Sequence, residues 1–213
     1  EDALPAANVL NKMGFKIGFN LMQIANRSEN EVKNLALKTN SYPVDVLYFA
    51  DSMGSMNNDH TKKLISWFSE SWKGEIGIHT HDNMSMALSN TLTALKNGVT
   101  WVDSTVTGMG RGPGNAKTEE LAIEVSQYTN KKINIIPTTN LINNYFLEMK
   151  NKFGWGTNPF YYLAGKNSIH PTYVQKMLSD PRYSSEDLIA VLENLNSDEA
   201  VKFKQESLEN ARH

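Results

Sequence analysis

The chain of 213 residues, 40% hydrophobic and 21% charged, has the composition of a globular protein long enough to bury a core in one or two domains. A formal net charge of -2 gives no electrostatic ground for binding nucleic acid or an anionic membrane surface, and no segment has the apolar length of a bilayer span. With no cysteine there is no disulfide, thiolate nucleophile or thiolate metal ligand, so any metal must be held by His, Asp, Glu, Asn and water.

The first residues, EDALPAANVL, lack the charged and apolar regions of a signal peptide, and a cytoplasmic setting is expected. From residue 15 to about residue 127 short apolar runs alternate with stretches of helical periodicity. FKIGFNLM, VDVLYFADS, EIGIHTHD and TWVDSTVTG read as four strands. Between the first two, SENEVKNLALKT opens with Ser28 and Glu31 at the spacing of a capping box. HTKKLISWFSESW then places Leu64, Ile65, Phe68 and Trp72 on one helical face. MSMALSNTLTALKNG does the same with Met84, Ala87, Leu88, Leu92 and Leu95, and stops at Gly98. Four βα units predict an α/β fold with a parallel sheet, either open and doubly wound or half of a (β/α)8 barrel. After residue 130 the rhythm changes. TTNLINNYFLEMKNKFGW carries an apolar helical stripe at Leu141, Ile142, Tyr145, Phe146 and Met149. The aromatic GWGTNPFYYLAG follows, with two short helices expected near His170 and Ser184. The reading is a barrel-half region over 1–130 and a small helical region over 131–213, packed against the core.

The chemistry-bearing residues gather at the C-terminal ends of the predicted strands, where both parallel architectures place their sites. In HTHDN, His79 and His81 are two apart and share one strand face, with Thr80 turned to the helices. Two imidazoles on one face suit a divalent cation and leave positions for carboxylate, water and substrate. The structural alternative is a hydrogen-bonded strand-end histidine, with Asp82 capping the next helix. STVTGMGRGPGNAKTEEL is a glycine-rich turn leading into a helix, able to bring backbone amides close to an anion, although it fits neither the P-loop nor the dinucleotide pattern. Within it Arg111 suits a substrate carboxylate or simple solvation, Gly110 and Gly112 line the turn, and Asn115 is the residue best able to lean toward the histidines. Asp51 and Ser52, on the turn after the second strand, are candidates for substrate binding or turn formation.

IGIHTHDN followed by VDSTVTGMGRGPGNAKTEEL resembles the end of the barrel in the pyruvate carboxyltransferase-like, or DRE-TIM metallolyase, superfamily. That group holds hydroxymethylglutaryl-CoA lyase, the isopropylmalate and homocitrate synthases and 4-hydroxy-2-oxovalerate aldolase, and the Gly-Met-Gly and Gly-Asn-Ala portions of the loop are most similar to the aldolase branch. The resemblance covers residues 15 to 127 and implies strands five to eight of a TIM barrel. It implies a divalent metal, Mg or Mn ahead of Zn, with His79, His81 and Asn115 as ligands and Asp51 with Ser52 at the substrate. The implied reaction is retro-aldol cleavage of a 4-hydroxy-2-oxo acid to pyruvate and an aldehyde, through a metal-stabilised enolate. A tyrosine assists the base in the aldolases; alignment on GWGTNPFYYLAG puts Asn158 at its place, with Tyr161 and Tyr162 a turn later as catalytic candidates. The family's Arg-Asp-Gly segment of the first strand, which supplies a carboxylate ligand and an arginine, is absent from this sequence, so a fragment inactive alone is expected. A homo-oligomer and an aldehyde dehydrogenase partner are further expectations. The alternatives are an acyl-CoA Claisen-condensing enzyme of the same superfamily and a noncatalytic half-barrel module. Amidohydrolases also use His-X-His in a barrel, but with further histidines downstream, and here only His170 and His213 follow.

Overall fold

The computed structural model describes residues 3–129, 131–195 and 197–211; His213 lies outside them. The chain divides into two compact units, one of Glu1–Ser52, Met56–Thr80 and Ser89–Asp103, the other of Met53–Ser55, His81–Leu88 and Ser104–His213.

The first unit is built on four parallel strands, β1 (Gly18–Leu21), β2 (Val46–Asp51), β3 (Glu75–Thr80) and β4 (Trp101–Val102), hydrogen-bonded in the order β1-β2-β3-β4. Spatial order equals chain order. A doubly wound sheet reverses direction at a switch point, whereas stepwise order is that of a (β/α) barrel, so the topology favours the second of the two predicted architectures. One face of the sheet is dry. Leu47, Phe49, Ile76 and Ile78 point to Val32 and Ala36 of α2 (Glu29–Thr39) and to Leu64, Ile65 and Phe68 of α3 (Asn58–Ser71) in one buried cluster. Phe49 stacks on Phe68 at 5.4 Å between ring centroids. The predicted stripe of α3 is therefore the buried one, with Trp72 closing it. Ser28 and Glu31 form the reciprocal capping box expected of α2. A helix absent from the sequence reading, α1 (Leu4–Lys12), precedes the sheet and buries only Leu4 and Ala7.

In the second unit Asp82 Oδ1 accepts the Ala87 amide at 3.0 Å. Ser85 takes a left-handed conformation with φ 57°. Together they delay α4 (Ala87–Lys96) by three residues relative to the predicted start at Met84. The glycine-rich segment leads into α5 (Thr118–Thr129). The core of this unit is made by α8 (Pro159–Lys166), α9 (Thr172–Leu178) and α10 (Ser185–Asn194), through Tyr161, Ala164, Tyr173, Val174, Met177, Leu188, Val191 and Leu192. The last two helices are those expected near His170 and Ser184, and Ser184 caps α10 in a box with Asp187.

The stripe over Leu141–Met149 is a correction. Its helix, α6 (Ile136–Leu141) and α7 (Leu147–Phe153) joined by a π-helical stretch Ile142–Phe146, buries no residue, and Tyr145 is 61% exposed. Ile142, Phe146 and Met149 stay half-buried while Leu141 and Tyr145 are exposed, so the stripe survives only in part. Among the described residues no helix is long and apolar enough to cross a membrane.

Candidate metal and substrate site

The strand ends of the first unit are tied by side chains to the turns that follow them. Asp51, 1% exposed at the end of β2, accepts the Met56 amide on Oδ2 at 3.2 Å. Ser52 Oγ accepts the amide of Gln23, which sits in a left-handed conformation after β1. Thr80 Oγ1 lies 3.0 Å from Thr91 Oγ1 of α4, so Thr80 faces the helices and His79 the opposite side, as strand alternation requires. On that opposite side His79 Nδ1 stands 3.0 Å from Asp103 Oδ2, just past β4. The Tyr48 hydroxyl bonds the same carboxylate; burial first, and the charge of Asp103 second, push its pKa up.

In the second unit His81 pairs with Asn115 in an isolated antiparallel bridge. The amide of Asp82 donates to Gly114 O at 3.0 Å, and that of Asn115 to Gly108 O at 3.1 Å. Gly108, Gly112 and Gly114 all have positive φ, which is why the turn needs glycine there. The Asn115 side chain donates from Nδ2 to Met109 O, while its Oδ1 is buried without a partner. Trp155 Nε1 donates to Thr107 O and the Gly156 amide to Gly112 O, so the segment 155–156 holds the turn from outside. Tyr161 lies against it: a methyl group on Gly112 would stand 3.1 Å from the Tyr161 hydroxyl. Burial raises the pKa of Tyr161, and the guanidinium of Arg111, exposed at the tip of the turn, works against that rise. Gly110 packs beside the Asn115 amide group. Tyr162, 49% exposed on α8, does not share the environment of Tyr161.

His170 carries a testable pH dependence. Its Nδ1 accepts the Thr172 amide at 3.3 Å, and burial first, then Arg111, push its pKa down. Protonation would set a donor against a donor. A histidine with a depressed folded pKa binds fewer protons folded than unfolded, so stability is lost as pH falls from about 6.5 toward the folded value. Denaturant midpoints at pH 7.5 and 5.5 are expected to differ less in His170→Asn, which keeps an acceptor and cannot titrate, than in the parent. An unchanged difference would rule His170 out as the cause.

Among the described residues no three His, Asp or Glu side chains gather as a metal cluster. Among the described residues Asn83 Oδ1, Asn90 Oδ1, Thr105 Oγ1 and Asn115 Oδ1 are buried without a partner; that of Asn115, on the residue bridged to His81, is a hard oxygen of the type that suits Mg or Mn. An unpaired buried amide oxygen is costly unless a ligand completes it, so within the second unit the chemistry of His81 and Asn115 fits a divalent cation. Two residues escaped the sequence reading, Asp103 and Tyr48. The available signal was the position of Asp103 directly after an apolar run, matching His79 on the preceding strand.

A parallel sheet in chain order, with His-X-His at one strand end and a glycine-rich turn beyond the next, defines an α/β fold of the TIM-barrel aldolase type. Residues 2–143 match the HMGL-like family, and the chain belongs to it. Over 87 residues it is 40% identical to 4-hydroxy-2-oxovalerate aldolase 2 of Nocardia farcinica, a match covering 41% of this chain and 25% of that enzyme. It is 35% identical to 4-hydroxy-2-oxovalerate aldolase of Thermomicrobium roseum over 112 residues, 52% of this chain and 31% of the relative. The chain thus spans about a quarter to a third of the length of these curated relatives. Among solved structures, the N-terminal domain of a provisionally named aldolase from Bacteroides vulgatus superposes with a TM-score of 0.76 at 30% identity, covering 83% of this chain and 59% of that one. HMG-CoA lyase of Bacillus subtilis, at 20% identity and a TM-score of 0.61 over 72% of this chain and 55% of its own, shares the fold.

Proposed function

We propose that the chain is the His-X-His half of a divalent-metal-dependent aldolase that cleaves a 4-hydroxy-2-oxo acid to pyruvate and an aldehyde, its four strands being strands five to eight of the barrel. The observation that carries this reading is the pairing of His81 with Asn115, whose side-chain oxygen is buried without a partner. The names of the relatives support the substrate class. His79, His81 and Asn115 would hold Mg or Mn, which supplies Lewis-acid stabilisation of the negative charge that develops on the 2-oxo group.

The rest falls to side chains. The Arg111 guanidinium pairs with the substrate carboxylate, and the amides around Gly110 and Gly112 let that carboxylate approach the backbone. The turn of Asp51 and Ser52 closes the substrate side. Cleavage transfers the proton of the 4-hydroxyl to a general base, breaks the C3–C4 bond so that C4 leaves as the aldehyde carbonyl, and leaves the electron pair on C3, which then takes up a proton to give pyruvate. Tyr161, kept protonated by burial, suits a hydrogen bond to the 4-oxygen, with Tyr162 a second candidate. A cytoplasmic homo-oligomer passing its aldehyde to a dehydrogenase completes the proposal.

The test is pyruvate release from 4-hydroxy-2-oxovalerate by the full polypeptide, followed with lactate dehydrogenase. Activity is expected with Mn or Mg and none with chelator. Release indifferent to chelator would remove the metal reading; thiol release from acetyl-CoA with a 2-oxo acid would favour the Claisen alternative.

A further inference from the structure

A contact that crosses three strands deepens the metal reading, and rests on it. Tyr48 on β2 stands opposite Gly77 on β3 in register, and Ala50 opposite His79. A Cβ on Gly77 would lie 2.5 Å from the Tyr48 ring, inside any tolerated carbon contact, so the ring crosses β3 only because residue 77 has no side chain. Its hydroxyl ends on Asp103 beyond β4. Asp103 in turn holds His79 Nδ1 through Oδ2 at 3.0 Å. An ionised carboxylate only accepts, so the proton of a neutral His79 sits on Nδ1 and the lone pair on Nε2. The Tyr48 hydroxyl bonds the same carboxylate, which opposes its rotation away from His79.

We propose that Gly77, Tyr48 and Asp103 form a positioning relay that fixes His79 as the Nδ1–H tautomer and turns Nε2 toward a divalent cation. Their contribution is orientation and basicity of a ligand, the usual work of a carboxylate behind a metal-binding histidine. Gly77 is part of the device because any side chain there would displace Tyr48 from its path to Asp103.

Two measurements on the full polypeptide test this. Long-range 1H–15N correlation spectra of the metal-free protein, labelled at histidine and assigned with His79→Gln, are expected to show the Nδ1–H tautomer for His79. In Asp103→Asn that preference is expected to be lost with the far-UV spectrum unchanged. Mn titration followed by electron paramagnetic resonance is expected to show binding about 10- to 100-fold weaker in Asp103→Asn, and about threefold weaker in Tyr48→Phe. An Nε2–H tautomer in the unmodified protein overturns the relay, and needs no variant to fold. Mn affinity in Asp103→Asn within twofold of the parent also overturns it. A parent protein that binds no Mn while showing the Nδ1–H tautomer overturns the metal reading itself, and the relay as a metal-positioning device falls with it.

Discussion

Alanine at His81 is expected to lower metal-dependent pyruvate release by about a thousandfold or more, and alanine at His79 by at least as much. A Lewis acid at the 2-oxo group supplies several kcal/mol of transition-state stabilisation, and a thousandfold is about 4 kcal/mol. The two variants differ in what else they disturb. The pairing of residue 81 with Asn115 is a backbone bridge, so His81→Ala removes the imidazole and leaves the bridge able to form. His79→Ala also strips Asp103 of its imidazole partner and leaves a half-exposed carboxylate beside Tyr48. Steady-state rates across a Mn titration separate the effects: weaker affinity alone is rescued by excess Mn, whereas a misplaced cation is not. His81→Ala retaining activity within tenfold of the parent at saturating Mn would show that the imidazole is no ligand.

The βα alternation was legible because each core strand is a short apolar run between polar turns, and Leu47, Phe49, Ile76 and Ile78 fall where a dry face requires them. Strand lengths were not. β1 pairs over four residues of an eight-residue run and β4 over two of nine, because extent depends on the neighbouring strand as well as on local composition. The stripe at Leu141–Met149 was legible only in part: Ile142, Phe146 and Met149 are half-buried while Leu141 and Tyr145 are exposed, because burial depends on what packs against a helix as well as on its period.

At the site, what was legible was what alternation controls. His79 faces away from the helices because Thr80 faces them, and a period of two is enough to say so. The Asp103 contact depends on the β3–β4 register, which spans 24 residues of sequence and leaves no trace in either strand alone. Tyr48 adds a second registration, across Gly77. The glycine-rich turn was recognisable by composition, but its fastening by Trp155 and Gly156 joins segments more than forty residues apart.

Gly114→Ala is expected to cost about 3 kcal/mol of stability and to reduce metal affinity with it. An L-residue at the φ of +81° found here is strained by roughly 1–2 kcal/mol. The new methyl would also collide with the carbonyl oxygen of Gly108, adding roughly 1–3 kcal/mol of overpacking. That carbonyl accepts the Asn115 amide, and the Gly114 carbonyl accepts the Asp82 amide, so the collision falls on both hydrogen bonds that flank the His81–Asn115 bridge. Gly98→Ala is the control, because Gly98 has φ +93° with nothing within 4 Å of a Cβ. It carries strain without collision and is expected to cost only about 1–2 kcal/mol, with Mn affinity unchanged. The difference between the two variants in urea midpoint isolates the collision, and the difference in Mn affinity reports whether Asn115 has moved. Equal midpoints would mean that the turn absorbs the methyl by shifting as a body, and retained Mn affinity in Gly114→Ala would then separate Asn115 from the metal.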